Sequence, residues 1–462
     1  MDEDDAAAIS FGTDGWRATL DVFTEPRVRI VGQALATTFL DRGEDGSVVI
    51  GYDARETSRG FAEELARVFC ANGFDVTLPD RDTPTPIVAW TARKGDHAGA
   101  LQVTASHNPP EYNGVKFIPG EGAPALPDLT EEVERNLADP QSLPEDEQGE
   151  VTERDLVADY ADHAIGYADA DLDGLTVAYD AMYGSGRDVT DALLERAGAD
   201  VSAMRDYLDP EFGGGSPEPT AEKVGDLIEV VTEGDADIGF VNDGDADRLG
   251  IVTPERGLLD PNLFLAAMYD YLLETREGDV VRTVSTSSIV DRVAEAHGQA
   301  VHETAVGFKW VAEAMREHDA LFGGEESGGF GLTDHLRNKD GVLVALVAAA
   351  AESERSLDAR VDALIDAYGE IHQSRISVDC PDDRKEPVLD DLEAELPDSV
   401  AGVAVDGINT VDGFKIRLED GTWLLMRPSG TEPKLRVYAE AGSEERVEEL
   451  LDAGRTLVEP LV

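Results

Sequence analysis

Three aspartates at alternate positions close an apolar run in ADIGFVNDGDADRLGIV: Asp243, Asp245 and Asp247, separated by Gly244 and Ala246. On an extended loop, carboxylates spaced in this way can converge on one hard cation through oxygen ligands. Left unpaired they would repel. An EF-hand is excluded, because its template needs Gly and Glu where this chain has Arg248 and Pro254. The competing reading is a solvated acidic loop. A second stretch, GALQVTASHNPPEYNGVKF (residues 99–117), runs as a strand into Ser106, His107 and Asn108 and then meets Pro109 and Pro110. Proline fixes φ and lacks an N–H, so helix and ladder both stop and the chain must turn, presenting a hydroxyl. Turn preference of Ser and Asn alone would also explain it.

Other stretches add to these. RPSGTEPKLRVY packs Arg427, Ser429, Gly430, Thr431 and Arg436 around a turn. Backbone N–H groups flanked by guanidinium groups suit a phosphate dianion, although a turn with solvent-exposed arginines would read the same. LFGGEESGGFG opens a glycine-rich loop with Glu325, Glu326 and Ser327, whose carboxylates and hydroxyl can grip sugar hydroxyls. AVGFKWV places Lys309 beside Gly307, and FGTDGWRA places Arg17 after a turn. A hydroxyl nucleophile, a divalent metal and an anion cradle are the parts needed for phosphoryl transfer.

The elements that must position these residues alternate between apolar strand-like runs and amphipathic stretches of helix length, the grammar of βαβ units and a mostly parallel sheet. VVIGYDARETSRGFAEEL and LTVAYDAMYGSGRDVTDALL share a strand, a Tyr-Asp-Ala, a Ser/Gly turn and a helix. DVVRTVSTSSIVDRVAEA repeats the order without the Tyr-Asp-Ala, which suggests threefold use of one α/β design. Generic βα grammar is the alternative. The polar stretch 138–150 reads as a linker, a change follows Thr253, and the pattern shifts again near 379–387. Four domains are expected: α/β over 1–150 with the serine loop, 151–253 with the acidic loop and 254–375 with the Gly-Glu-Glu-Ser loop, then α+β over 376–462 with the Arg/Ser turn. In the last, strands are expected around turns at Asp412-Gly413 and Asp420-Gly421, followed by one helix.

Composition narrows the setting. The 97 Asp+Glu against 38 Lys+Arg leave a formal net charge of −59, while 42% hydrophobic content argues against disorder. A folded protein with this surface suits concentrated salt, where the Debye length falls to about 3 Å. Only eight of the basic residues are lysines, so those retained, including Lys116, Lys309 and Lys339, are enriched for roles that need one. The charge argues against nucleic acid and anionic membranes as partners. Cys70 and Cys380 exclude a disulfide framework. The first residues, MDEDDAAAIS, are not expected to act as a signal peptide, and the run GVLVALVAAAA is too short to span a bilayer. A cytoplasmic halophilic protein is the expectation.

TASHNPP, DGDADR, GEES and RPSGTEP stand in the order and spacing of the α-D-phosphohexomutases, and the chain resembles that family from GTDGWR to its tail. The resemblance implies four domains around a central cleft, each giving one loop. Ser106 would be the phosphoserine, and with Asp243, Asp245 and Asp247 would hold one Mg²⁺ per chain. The phosphoserine would react with a hexose monophosphate through a hexose 1,6-bisphosphate, both intermediate and activator. Arg17, His107, Lys116 and Arg248 would line the reaction centre, with Lys116 neutralising charge or shuttling a proton. Gly307, Lys309, Glu325 and Ser327 would bind the sugar, and Arg427, Ser429, Gly430, Thr431 and Arg436 the unreacting phosphate. Glu326, where relatives have Met or Gln, resembles phosphoglucomutases; so does DHLRNKDG, which makes Lys339 a second acid/base candidate. Val306 in place of Thr and one extra residue between Glu325 and Lys339 depart from that branch. Glucose is therefore the expected sugar, with mannose or glucosamine as alternatives, and a monomer or homodimer the expected assembly. Two other classes are an aspartate-nucleophile phosphatase using Asp243 and a binding protein without turnover.

Overall fold

The computed structural model describes residues 3–12, 15–430 and 432–462, so Thr431 of the expected phosphate turn lies outside the described residues. The chain forms two compact units: Met1–Pro261 with Ser327–Asp358, and Asn262–Glu326 with Ala359–Val462.

In the first unit, a six-stranded sheet runs in the order Trp16–Thr19, Tyr112–Pro119, Gly99–Val103, Ser47–Tyr52, Asp75–Pro79, Val151–Arg154. Ser47–Tyr52 is parallel to both neighbours, and Tyr112–Pro119 folds back antiparallel on Gly99–Val103. The central strands are apolar along their length because helices cover both faces of a parallel sheet. Phe39 anchors one side of that core, ringed by Phe69, Phe74 and Phe117. The polar stretch 138–150 lies mostly exposed before Val151–Arg154 adds the sixth strand. A second, five-stranded sheet is built around Thr176–Asp180, parallel to Asp200–Met204 and Ile238–Asn242. Leu249–Thr253 then returns antiparallel on Ile238–Asn242.

The run GVLVALVAAAA is the start of helix Gly341–Glu354, buried from Gly341 to Ala351 and packed on helices Val157–Ala168 and Thr190–Arg196. Its all-round apolar character reflects burial on every side. Among the described residues, no helix is long and apolar enough to cross a membrane.

In the second unit, Val280–Thr283 is flanked in parallel by Val301–Thr304 and Phe322–Gly324. The C-terminal sheet is antiparallel throughout, in the order His372–Asp379, Lys434–Ala441, Trp423–Pro428, Phe414–Leu418, Val403–Asn409, Ser399–Val400. It has two helices rather than the one expected: Glu444–Val458 and, before it, Asp382–Ala394. The second escapes a sequence reading because Pro387 lies inside it, removing one helical N–H. Burial of Val388 and Leu392 in the domain core outweighs that loss.

The threefold design is visible in the topology. Each of the three α/β sheets has a central strand with the next strand on one side and the following one on the other. In each, the third strand of the repeat ends at a motif: Val103 before the Ser106 turn, Asn242 before the aspartates, Gly324 before Glu325. Parallel strands deliver functional loops at their carboxyl ends.

Candidate active site

Ser106 sits at the tip of the hairpin formed by Gly99–Val103 and Tyr112–Pro119, 1% exposed and with a left-handed φ of 52°. A non-glycine residue in that region is worth explaining, and such strain gathers at functional sites. Its N–H donates to Thr104 Oγ1 at 2.8 Å, and its Oγ donates to Asp243 Oδ2 at 2.7 Å. His107 Nδ1 lies 3.3 Å from the same Oγ. The two loops meet closely: a Cβ on Gly244 would lie 2.7 Å from the Ser106 carbonyl oxygen, so only glycine fits between the aspartates.

Asp243, Asp245 and Asp247 occupy the turn between Ile238–Asn242 and Leu249–Thr253, and all three are buried. One oxygen from each lies within 4.8 Å of the others. Their remaining partners divide neatly. Asp245 Oδ2 accepts from Thr85 Oγ1 at 2.5 Å and Lys116 Nζ at 2.6 Å. Asp247 Oδ2 accepts from Lys116 Nζ at 2.5 Å and Lys339 Nζ at 3.0 Å. The Oδ1 atoms of Asp245 and Asp247 are buried with no hydrogen-bond partner. Two orphaned carboxylate oxygens beside Asp243 and a serine hydroxyl form an all-oxygen donor set, which fits a hard divalent cation.

The electrostatics sort the roles. Burial, reinforced by Asp245 and Asp247, pushes the Asp243 carboxyl up to about 8. Burial would raise Asp247 too, but Lys116, Lys339 and Arg248 outweigh it and hold that carboxyl well below the usual range. Burial works against the Lys116 ammonium, yet Asp245 and Asp247 more than offset it and its pKa is raised. This direction favours Lys116 as a charge-neutralising group, since a proton shuttle works best with a depressed pKa. Burial, then the charges of Arg248 and Arg17, drive His107 down to about 2, so its ring is neutral. Arg17 lies on Trp16–Thr19 opposite Gly114 of the serine hairpin, and Arg248 N donates to Asp243 Oδ1 at 3.2 Å. Thus Arg17, Ser106, His107, Lys116, the three aspartates, Arg248 and Lys339 come together in the first unit.

The second unit holds the other loops as far as Glu326; Ser327 begins the segment that belongs to the first unit. Gly307, at φ 119°, caps helix Phe308–His318 in a conformation that requires glycine, and its N–H donates to Glu325 Oε1 at 3.0 Å. That bond ties the AVGFK and GEES loops together. Lys309 Nζ lies 5.6 Å from the Trp310 ring centroid. Glu326 accepts from Ser285 Oγ at 2.7 Å and Thr283 Oγ1 at 3.2 Å. Ser327, which follows, is exposed. In the C-terminal sheet Arg427 stands directly opposite Arg436. Like charges in register are destabilising, a local rule commonly broken where an anion binds. Here Arg427 Nε bonds Asp412 at 2.8 Å and Arg436 Nη2 bonds Glu432 at 2.7 Å. Ser429 N–H is bonded to the Lys434 carbonyl, before Gly430.

Sequence reasoning missed several residues. Thr85 begins helix Thr85–Lys94 and binds Asp245 through both its hydroxyl and its N–H. Lys385 Nζ holds the turn after Arg427 through the carbonyls of Ser429 and Glu432, at 2.6 and 2.7 Å. Its only signal was being one of the few lysines. Asp53 and Arg55 brace the serine loop; the Tyr-Asp-Ala repeat was a signal for Asp53 alone.

Family models for the four phosphoglucomutase/phosphomannomutase domains match in order: domain I over residues 8–143, domain II over 158–257, domain III over 260–368 and the C-terminal domain over 376–456. A Methanopyrus kandleri protein named "Probable phosphoglucosamine mutase" is 35% identical over 96% of both chains. The phosphoglucomutase of Komagataeibacter xylinus is 31% identical over 94% of this chain and 87% of its own. A crystal structure of a "putative phosphomannomutase" from Thermus thermophilus superposes with a TM-score of 0.84 at 30% identity, covering 98% of this chain and 99% of that one. With all four domain types in sequence and similarity over nearly its full length, the chain belongs to the phosphoglucomutase/phosphomannomutase family of phosphohexomutases.

Proposed function

We propose that this chain interconverts hexose 1-phosphate and hexose 6-phosphate through a phosphoserine at Ser106 and a 1,6-bisphosphate intermediate that also activates the enzyme. The observation that carries the reading is Ser106 Oγ at 2.7 Å from Asp243, beside two buried carboxylate oxygens without partners. A Mg²⁺ held by Ser106, Asp243, Asp245 and Asp247 would supply charge neutralisation on the transferring phosphoryl group. In one direction the phosphoserine P–Oγ bond breaks, a P–O bond to the free sugar hydroxyl forms, and that hydroxyl's proton passes to a base. The bisphosphate, reversed, returns its other phosphate to Ser106. Lys116 offsets negative charge near Ser106. Neutral His107 offers Nδ1 to Oγ. Lys116 and Lys339, which share Asp247 Oδ2, are the two candidates for moving that proton. Arg427 and Arg436 are assigned to the unreacting phosphate, Glu325 and Ser327 to the sugar hydroxyls.

Glucose is the sugar suggested by Glu326 and the DHLRNKDG segment. Glucosamine is the second reading, favoured by the name of the Methanopyrus kandleri relative. The acidic surface suits a cytoplasm rich in salt. The deciding assay compares kcat/KM for glucose, glucosamine and mannose 1-phosphates in molar KCl with Mg²⁺ and trace bisphosphate. Ser106→Ala should abolish turnover and retain ligand binding. Full activity of that variant, with phosphate on Asp243, would establish the aspartate-nucleophile alternative.

A further inference from the structure

The Tyr-Asp-Ala repeat has a physical counterpart beneath the serine loop. Asp53 follows strand Ser47–Tyr52 and is 1% exposed, while Arg55, two residues on, is 4% exposed. Every oxygen of Asp53 is engaged. Oδ1 accepts from Ser58 Oγ at 2.6 Å and Arg55 N at 3.2 Å; Oδ2 accepts from Thr104 Oγ1 at 2.6 Å and Arg55 Nε at 3.0 Å. Thr104 Oγ1 in turn accepts the N–H of Ser106.

The Arg55 guanidinium turns its other N–H groups to the serine loop. Nη2 donates to the carbonyls of Ser106 at 2.8 Å and Asn108 at 2.7 Å; Nη1 donates to those of Pro109 at 2.7 Å and Tyr112 at 3.0 Å. A guanidinium has five N–H donors in a fixed plane, and here one meets Asp53 and four meet loop carbonyls. No other side chain can replace this fork, since lysine has three donors on a flexible stem. The ring of Phe212 lies 5.0 Å from the guanidinium carbon. The second Tyr-Asp-Ala follows the same plan. Asp180 accepts from Met182 N and Arg205 Nε, fixing a loop whose Ser185 N–H and hydroxyl both bond the Gly244 carbonyl.

We infer that Arg55, oriented by Asp53, is the positioning residue of the nucleophile loop: it holds Ser106 in its left-handed conformation so that Oγ meets the transferring phosphoryl group at a fixed place in both directions. This rests on the reading of Ser106 as the phosphorylated group. Arg55 touches loop carbonyls rather than Oγ, so it acts through geometry. A displacement of about 1 Å at a reacting atom costs on the order of 100-fold in rate.

The test uses Arg55→Lys and Arg55→Ala in the full-length enzyme, beside Ser106→Ala. Turnover is expressed per folded molecule, with folding followed by circular dichroism and cation binding by Mn²⁺ titration. For Arg55→Lys, kcat should fall about 100-fold with KM and Mn²⁺ affinity within about twofold of wild type. Methylguanidine should restore turnover to Arg55→Ala saturably, and should do nothing for Ser106→Ala. Near wild-type kcat in both Arg55 variants, with Ser106→Ala inactive, overturns the inference alone. An active Ser106→Ala overturns the reading beneath it. Loss of kcat, KM and Mn²⁺ binding together without rescue, or failure of both variants to fold, reduces Arg55 to a general structural role and also overturns the inference.

Discussion

Removing the divalent cation and lowering the pH should act on one carboxylate, Asp243. It has no lysine of its own, whereas Lys116 and Lys339 sit on Asp245 and Asp247. Burial and its two acidic neighbours therefore leave Asp243 with a pKa of about 8 in the dephosphorylated, cation-free protein. A cation needs the ionised form, so below that pH binding must release one proton. Apparent affinity should then rise about tenfold per pH unit, equivalent to about 1.4 kcal/mol, and level off above pH 8. The sign for stability follows from the same group. An unfolded aspartate titrates near 3.9, so between about pH 4 and the folded value the native state binds more protons. Cation-free protein should therefore lose stability as pH rises through that window, and saturating Mg²⁺ should remove the trend. Calorimetric titration in two buffers of different ionisation heat counts the proton, and melts with a chelator read the stability. No proton release, with affinity flat across the window, would refute the assignment of the proton to Asp243.

Other substitutions have directions set by the same geometry. Lys116→Met breaks a buried ion pair at 2.6 and 2.5 Å and should destabilise the cation-free protein by about 3–5 kcal/mol, read by denaturant melts, with Mg²⁺ recovering more stability than in wild type. Glu432→Gln frees Arg436 from its carboxylate partner and should lower KM for the phosphorylated sugar, while Arg436→Ala should raise it with a smaller change in kcat, both read by steady-state kinetics. Dilution from molar to about 0.1 M KCl lengthens the Debye length to about 10 Å, so self-repulsion of the −59 surface should lower the melting temperature.

Much of this site is legible in the sequence because its loops interrupt a strong βα rhythm. Pro109 and Pro110 mark where a buried strand must stop, and alternating aspartates after Asn242 cannot continue a core. What stays hidden is whatever depends on distant partners. Arg55 reads as an ordinary residue before a helix, and only folding brings it to carbonyls more than fifty positions away. Lys116 is visible as a lysine near a serine, but its raised pKa depends on two aspartates from another strand turn. Glu326 marks the sugar loop in sequence, yet its carboxylate is held by Ser285 and Thr283, so its identity also serves local structure. Helix Asp382–Ala394, which carries Lys385 to the carbonyls of Ser429 and Glu432, is hidden by its own proline.

The most direct test of the account is to find where phosphate resides. Purified protein is incubated with hexose 1,6-bisphosphate and Mg²⁺ in molar KCl, and its phosphorylated peptide is mapped by mass spectrometry before and after addition of hexose 1-phosphate. One phosphate is expected on Ser106, discharged by the sugar phosphate and absent from Ser106→Ala. Phosphate on Asp243, or turnover with Ser106 never labelled, would contradict it.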